Sequence, residues 1–226
     1  MRKIALIAFT TLPLFAGFFP STVKTSVTNI SGHEITMASS FPVNGMSGII
    51  IHNYGNDIKA ITSRVIQTSR GHAKLEDSDV MQHDNLPTIK TAVARGDRVI
   101  GGYLYNNVLL LAPDAGTYAK VTAASNKTWI HPDLYALYLS QEGEGTPNRE
   151  NLADFAKKYH VGLVYIIKKG SAVLLDPISG KHVGKKGVSG LPAKAQFPFF
   201  MRFDKIDTGW FSKSASGTYY NLMETL

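Results

Sequence analysis

The chain has 226 residues, no cysteine, and 24 lysines and arginines against 17 aspartates and glutamates, a formal charge of +7. Without cysteine there is no disulfide framework, no thiolate zinc site and no lipobox for lipid attachment. The basic excess suits anionic partners such as lipid headgroups, cell-wall polymers or acidic proteins, but no nucleic-acid-binding motif accompanies it, and no nucleic-acid partner is expected.

The chain opens "MRKIALIAFTTLPLFAGFF". Arg2 and Lys3 precede an apolar run from Ile4 to Phe19, broken by Thr10, Thr11 and Pro13. That layout reads as a secretory signal peptide over residues 1–19, with the small pair Ala16-Gly17 as the cleavage neighbourhood. A membrane-spanning helix needs about 20 apolar residues, and this run is shorter and carries a proline. Membrane contact is therefore expected only through an uncleaved signal. Export without cysteine points to the periplasm or outer surface of a bacterium.

Residues 20–102 read as a β-rich domain. "TVKTSVTNISGHEITMA" predicts two strands around Ser31-Gly32, with Val23, Val27, Ile30, Ile35 and Met37 available to a core. "NGMSGIIIHNYGND" predicts a buried strand over Ile49 to Ile51, ended by Tyr54-Gly55-Asn56-Asp57. "IKAITSRVIQTS" follows, then a turn at Arg70-Gly71, "HAKLED", and "RGDRVIGGYL" with a turn at Gly96-Asp97. Short strands at this spacing suggest a small barrel or sandwich. The tripeptide Arg95-Gly96-Asp97 also matches an adhesion motif, but Gly-Asp ahead of an apolar strand is turn chemistry.

Residues 103–190 read as an α+β domain. "NNVLLLAP" is a strand stopped by Pro113, and "AGTYAKVTAAS" and "HPDLYALYLSQ" have helical spacing. "TPNRENLADFAKKYHV" is a helix capped by Asn148, with Leu152, Phe155, Ala156 and Tyr159 on one face. "GLVYII", "SAVLLDP" and "GKHVGKK" form a β-meander. Residues 191–226 form an aromatic tail, read as a final strand closing the fold. The whole is an α+β chain: a small barrel- or sandwich-like half, then an α/β half with a meander.

His131-Pro132-Asp133 invites a functional reading. In chaperone J-domains these residues follow a basic amphipathic helix, whereas here the preceding segment carries only Lys120 and Lys127. Pro132 suits a first helical turn, where its missing N–H costs nothing, and Asp133 sits near the positive end of the helix dipole. Tyr135 with Leu139, and Leu134 with Tyr138, are expected to bury at i, i+4 spacing. The tripeptide is a helix start.

These stretches also carry a family resemblance. Leu86-Pro87-Thr88, Gly96-Asp97 with Val99, Leu104-Tyr105, Ala112-Pro113 with Tyr118, Ile130 to Asp133 with Tyr138-Leu139, and Gly162-Leu163 with Tyr165 recur in order. The chain from about Thr22 to Gly187 thereby resembles the N-terminal domain of the plasminogen-binding proteins of epsilon-class proteobacteria. The resemblance implies an exported, envelope-associated, non-enzymatic protein that binds a protein partner and uses no cofactor. Plasminogen's kringles recognise lysine, and in the family a charged C-terminal extension ending in lysine is the implied ligand. This sequence ends "YNLMETL", so plasminogen, if bound, is expected to be met by internal lysines. The alternative partner is another envelope protein, with the chain a periplasmic scaffold of an envelope machine such as a flagellar motor.

No catalytic constellation is visible. The seven histidines, at 33, 52, 72, 83, 131, 160 and 182, show no H-x-x-x-H pair. Glu76, Asp77, Asp79, His83 and Asp84 cluster, but without the glycine and terminal glutamate of a calcium loop they read as a solvated acidic loop. "GMSG" and "GVSG" lack the spacing of a nucleophile elbow, and "GKHVGKKG" is not a phosphate loop. The candidate binding residues are Lys168, Lys169, Lys181, Lys185 and Lys186 on the meander, with Trp210 and Phe211 in the tail.

Overall fold

The computed structural model describes residues 17–76, 91–208 and 217–226. Six strands open it: β1 (Val23–Ser31), β2 (Glu34–Met37), β3 (Ser47–Gly55), β4 (Ile58–Ser69), β5 (His72–Glu76) and β6 (Arg98–Gly101). They close into a barrel in the order β1-β2-β5-β4-β3-β6, every pair antiparallel. The sequence left barrel and sandwich both open. Pairing of β1 with β6, Val23 opposite Gly101 through Ser26 opposite Arg98, decides for the barrel. Closure removes both sheet edges.

Val27, Ile35, Met37, Ile50, Val65, Ala73 and Val99 supply the barrel's buried side chains, while Val23 and Ile30 are half-buried. The β3–β4 loop is two residues long, and both Asn56 and Asp57 adopt positive φ, 48° and 61°. That geometry matches the twist of the flanking strands, and short polar side chains tolerate it best. Buried Gln67 on β4 fixes the 41–44 segment: its carbonyl accepts from the Phe41 amide at 2.6 Å, and its amide donates to the Phe41 and Val43 carbonyls and to Asn44. Gly101 leaves room for Phe41, whose ring would lie 2.6 Å from a β-carbon there.

The second half is a five-stranded mixed sheet in the order β11-β10-β9-β7-β8. Its strands are β7 (Asn107–Leu111), β8 (Thr128–Ile130), β9 (Leu163–Lys168), β10 (Ser171–Asp176) and β11 (Lys181–Gly187). β9, β10 and β11 form the antiparallel meander, and β7 runs parallel to both β8 and β9. β7 and β9 are almost continuously apolar because both faces are covered. Helices α1 (Ala115–Ala123), α2 (Pro132–Gln141) and α3 (Arg149–Tyr159) fill the connections, and α4 (Tyr219–Thr225) packs on β9.

Helix starts follow their caps. Asp114 caps α1 through the Thr117 amide at 2.7 Å. Asn148 and Asn151 form a reciprocal capping box at α3. Pro132 opens α2, and the His131 ring accepts from the Asp133 amide at 3.2 Å, so the tripeptide is a helix start.

Two expectations need correction, and one strand was not foreseen. Leu134 is 37% exposed while Tyr135, Tyr138 and Leu139 are buried. One turn of helix cannot bury two adjacent i, i+4 pairs against a single neighbour, and the tyrosines take the inner face. β8 went unforeseen because its three residues are too few to show a period. The described end of the aromatic tail is a helix, not a strand: Tyr219 and Met223, four apart, bury on one face, and the Tyr219 hydroxyl donates to the Leu111 and Ile167 carbonyls.

Candidate functional site

The meander lysines do not form one patch. Lys169 lies in the two-residue β9–β10 turn, and Lys185 and Lys186 lie near the end of β11 that faces that turn. Lys181 starts β11 at the opposite end, roughly 13 Å away at strand rise, where its β-carbon approaches Gly45 of the barrel. Lys168 ends β9 and is 7% exposed, its ammonium 3.9 Å from the Glu224 carboxylate. Burial holds the Lys168 ammonium below its usual range, with Arg149 and Lys185 adding to the effect and Glu224 opposing it. Trp210 and Phe211 lie outside the described residues, as do Asp77, Asp79, His83, Asp84 and Leu86-Pro87-Thr88.

β11 is the last strand of its sheet and pairs only with β10 among the described strands. An edge strand offers unpaired backbone groups, and lysines there keep unwanted strands away. The same lysines give the edge a sign. Lys185 and Arg149 act electrostatically on both Lys168 and His182, and the Glu224 side-chain carboxylate pairs with Lys168. Arg149 donates to the Gly180 and Leu226 carbonyls, and His182 Nε2 lies 3.1 Å from the Leu226 carbonyl. Burial depresses the His182 imidazole, and Lys168, Arg149 and Lys185 depress it further against the pull of that carbonyl. Arg149 and His182 were not singled out from sequence, because α3 and β11 meet only in the fold.

On the other face of β11, Lys186 lies over two rings, 4.4 Å from the Phe18 centroid and 5.4 Å from that of Tyr165. The edge thus divides into a cationic side, with Lys185, and an aromatic side, with Lys186.

Two histidines pair with carboxylates. His52 Nδ1 lies 2.7 Å from Asp97, which also accepts from the Ala94 amide at 2.8 Å. Asp97 is 6% exposed and Gly96 has φ +90°, so Arg95-Gly96-Asp97 is a turn whose carboxylate faces inward. His131 lies 3.3 Å from Asp133, whose carboxylate accepts from the Arg202 amide at 2.9 Å and its Nε at 2.6 Å. Burial raises the Asp133 carboxyl, but the Arg202 hydrogen bonds and nearby cations bring it below its usual value. Among the described residues no three histidine or carboxylate groups gather to hold a metal.

Asp176, at the end of β10, is wholly buried. Its Oδ2 accepts from the Ser47 amide and the Tyr105 hydroxyl, both at 2.7 Å, and Oδ1 from the Ile178 and Ser179 amides at 2.9 and 3.0 Å. Ser47 belongs to the barrel, so this carboxylate ties barrel and sheet together. Burial holds its carboxyl above the usual value, and the bonds from Ser47, Tyr105 and Ser179 pull it only part of the way back.

With the geometry described, comparison with known proteins adds the family. The family described as plasminogen-binding protein pgbA N-terminal matches residues 22–226. The chain belongs to this family. It is similar to the plasminogen-binding protein PgbA of Helicobacter pylori strain J99, 27% identical over 170 residues. The PgbA of strain 26695 is equally similar. The matched region is 72% of this chain but 37% of the relative, so the chain spans well under half the length of the proteins it matches. No solved structure matches it. The relatives are named for binding a protein, not for catalysis.

Proposed function

We propose that the chain is an exported protein of the bacterial envelope that works by binding another protein, not as an enzyme. The observation that carries this reading is the cationic sheet edge, where Lys185 is exposed and acts electrostatically on His182 together with Arg149 and Lys168, and Lys169 is exposed in the turn at the end of the edge. An acidic or carboxylate-bearing partner meets there both charge and open backbone. The basic start and apolar run of residues 2–19 support export. Among the described residues no helix is long and apolar enough to cross a membrane.

Plasminogen is the first partner to test, because the relatives carry its name. The purified chain is passed over immobilised plasminogen with and without a soluble lysine analogue. Retention that the analogue abolishes supports binding through internal lysines. No retention refutes plasminogen as the partner, and retention indifferent to the analogue refutes recognition through lysine. Crosslinking in intact cells then identifies an envelope partner.

A further inference from the structure

By composition, Phe18 and Phe19 are the last two residues of the apolar export segment. In the fold they pack against the second sheet. The two rings lie 5.1 Å apart edge to face, with Phe18 5.0 Å and Phe19 6.1 Å from the ring of Tyr165 on β9. A cation covers each: Lys186 lies 4.4 Å from the Phe18 centroid and Lys127 4.6 Å from that of Phe19. Such contacts gain strength when partly withdrawn from water, and burial holds the Lys127 ammonium below its usual range. The backbone is seated as well. A β-carbon at Gly184 of β11 would stand 2.4 Å from the Phe18 carbonyl oxygen, so glycine there admits the segment. Pro20 is buried, and the Thr22 hydroxyl donates to the Gly102 carbonyl at 3.1 Å, leading the chain into β1.

We propose that Phe18 and Phe19 belong to the folded protein as an aromatic clasp, and that the export leader ends at Ala16 or Gly17. Processing is then hydrolysis by the leader peptidase of the exporting cell. Water adds across the Ala16–Gly17 or Gly17–Phe18 bond, giving the leader a carboxylate and the mature chain a new α-amino group. A cut beyond Phe19 would remove both rings and uncover Tyr165, which is 1% exposed. The processing boundary rests on the export reading above; the clasp does not.

The test is the intact mass and N-terminal sequence of the full chain recovered from the periplasmic fraction of cells that export it. A terminus at Gly17 or Phe18 is expected. A terminus at Phe19 or later, or a retained Met1, would overturn the boundary, whereas absence of the chain from the periplasmic, membrane and surface fractions alike would defeat the export reading itself. A second arm tests the clasp without export. The F18A/F19A variant is expected to melt at least about 4 °C lower, the shift that a modest loss of packing produces in a chain of this size. F18L/F19L, which keeps apolar volume but removes the rings, should fall by less. If neither variant shifts the melting temperature, the clasp is refuted.

Discussion

Asp176 offers the sharpest test of how the two halves are joined. Its carboxylate accepts four hydrogen bonds in a site with no solvent exposure. Asp176→Asn keeps the shape and replaces one oxygen with a donor. If the new amide faces the Ile178 and Ser179 amides, two buried donors lose their acceptor. If it faces Ser47 and Tyr105, the tyrosine hydroxyl can turn to accept, and only the Ser47 amide is stranded. The second arrangement costs less. One stranded buried donor costs about 1–3 kcal/mol, and loss of charge assistance in the remaining bonds brings the total to about 2–4 kcal/mol. For a chain of this size that is a fall in melting temperature of roughly 4–16 °C. Calorimetry measures it, and amide exchange adds a local readout, since the Ser47 amide should lose protection while the core of β9 keeps it. Burial argues the other way, because removing a buried charge relieves its desolvation. A variant as stable as the parent would show that desolvation outweighs the four donors, and the reasoning would fail.

Three further outcomes follow from the same geometry. Asp133→Ala should cost about 1–3 kcal/mol by removing the charged acceptor that the Arg202 amide and Nε share, whereas Arg202→Gln should cost less than about 1 kcal/mol because that side chain is exposed; urea melts separate the two. Gly162→Ala would place a β-carbon 2.0 Å from the Leu104 carbonyl oxygen, so a large loss of stability or failure to fold is expected, and an unchanged melt would contradict the close approach. His131 and His182 both have imidazoles depressed chiefly by burial. Between the unfolded value near 6.5 and the lower folded value, the unfolded chain binds more protons, so stability should fall as pH drops from about 7 to 5.5. Denaturant midpoints across that range should flatten in H131N/H182Q, and an unchanged slope would refute the assignment.

The strands and helices with a clear period or cap were legible in the sequence: the hairpins around Gly32 and Gly71, the Asn148 cap and the helix start at Pro132. What the sequence withheld depends on long-range pairing. Barrel closure joins Val23 to Gly101 across most of the first half, and no local pattern announces it. The five lysines share one three-stranded meander, but strand direction and pairing put Lys168 inside and Lys181 at the far end. Asp176 left a faint signal, an acid closing the apolar run "SAVLLD", which a scan for catalytic patterns passes over. Phe18 and Phe19 were hidden by composition, since an export segment and a packed edge use the same side chains.

The measurement that bears most directly on the proposed binding face compares two charge-reversal pairs for retention on immobilised plasminogen. K169E/K185E reverses the two exposed lysines at the turn end of the meander, and K24E/K59E makes the same change in net charge on the exposed barrel surface. The account predicts that the first pair weakens binding by about tenfold or more and the second by less than about twofold, because only a local face distinguishes them. Equal losses would mean that net charge alone governs the contact, and an unaffected K169E/K185E would place the binding face elsewhere.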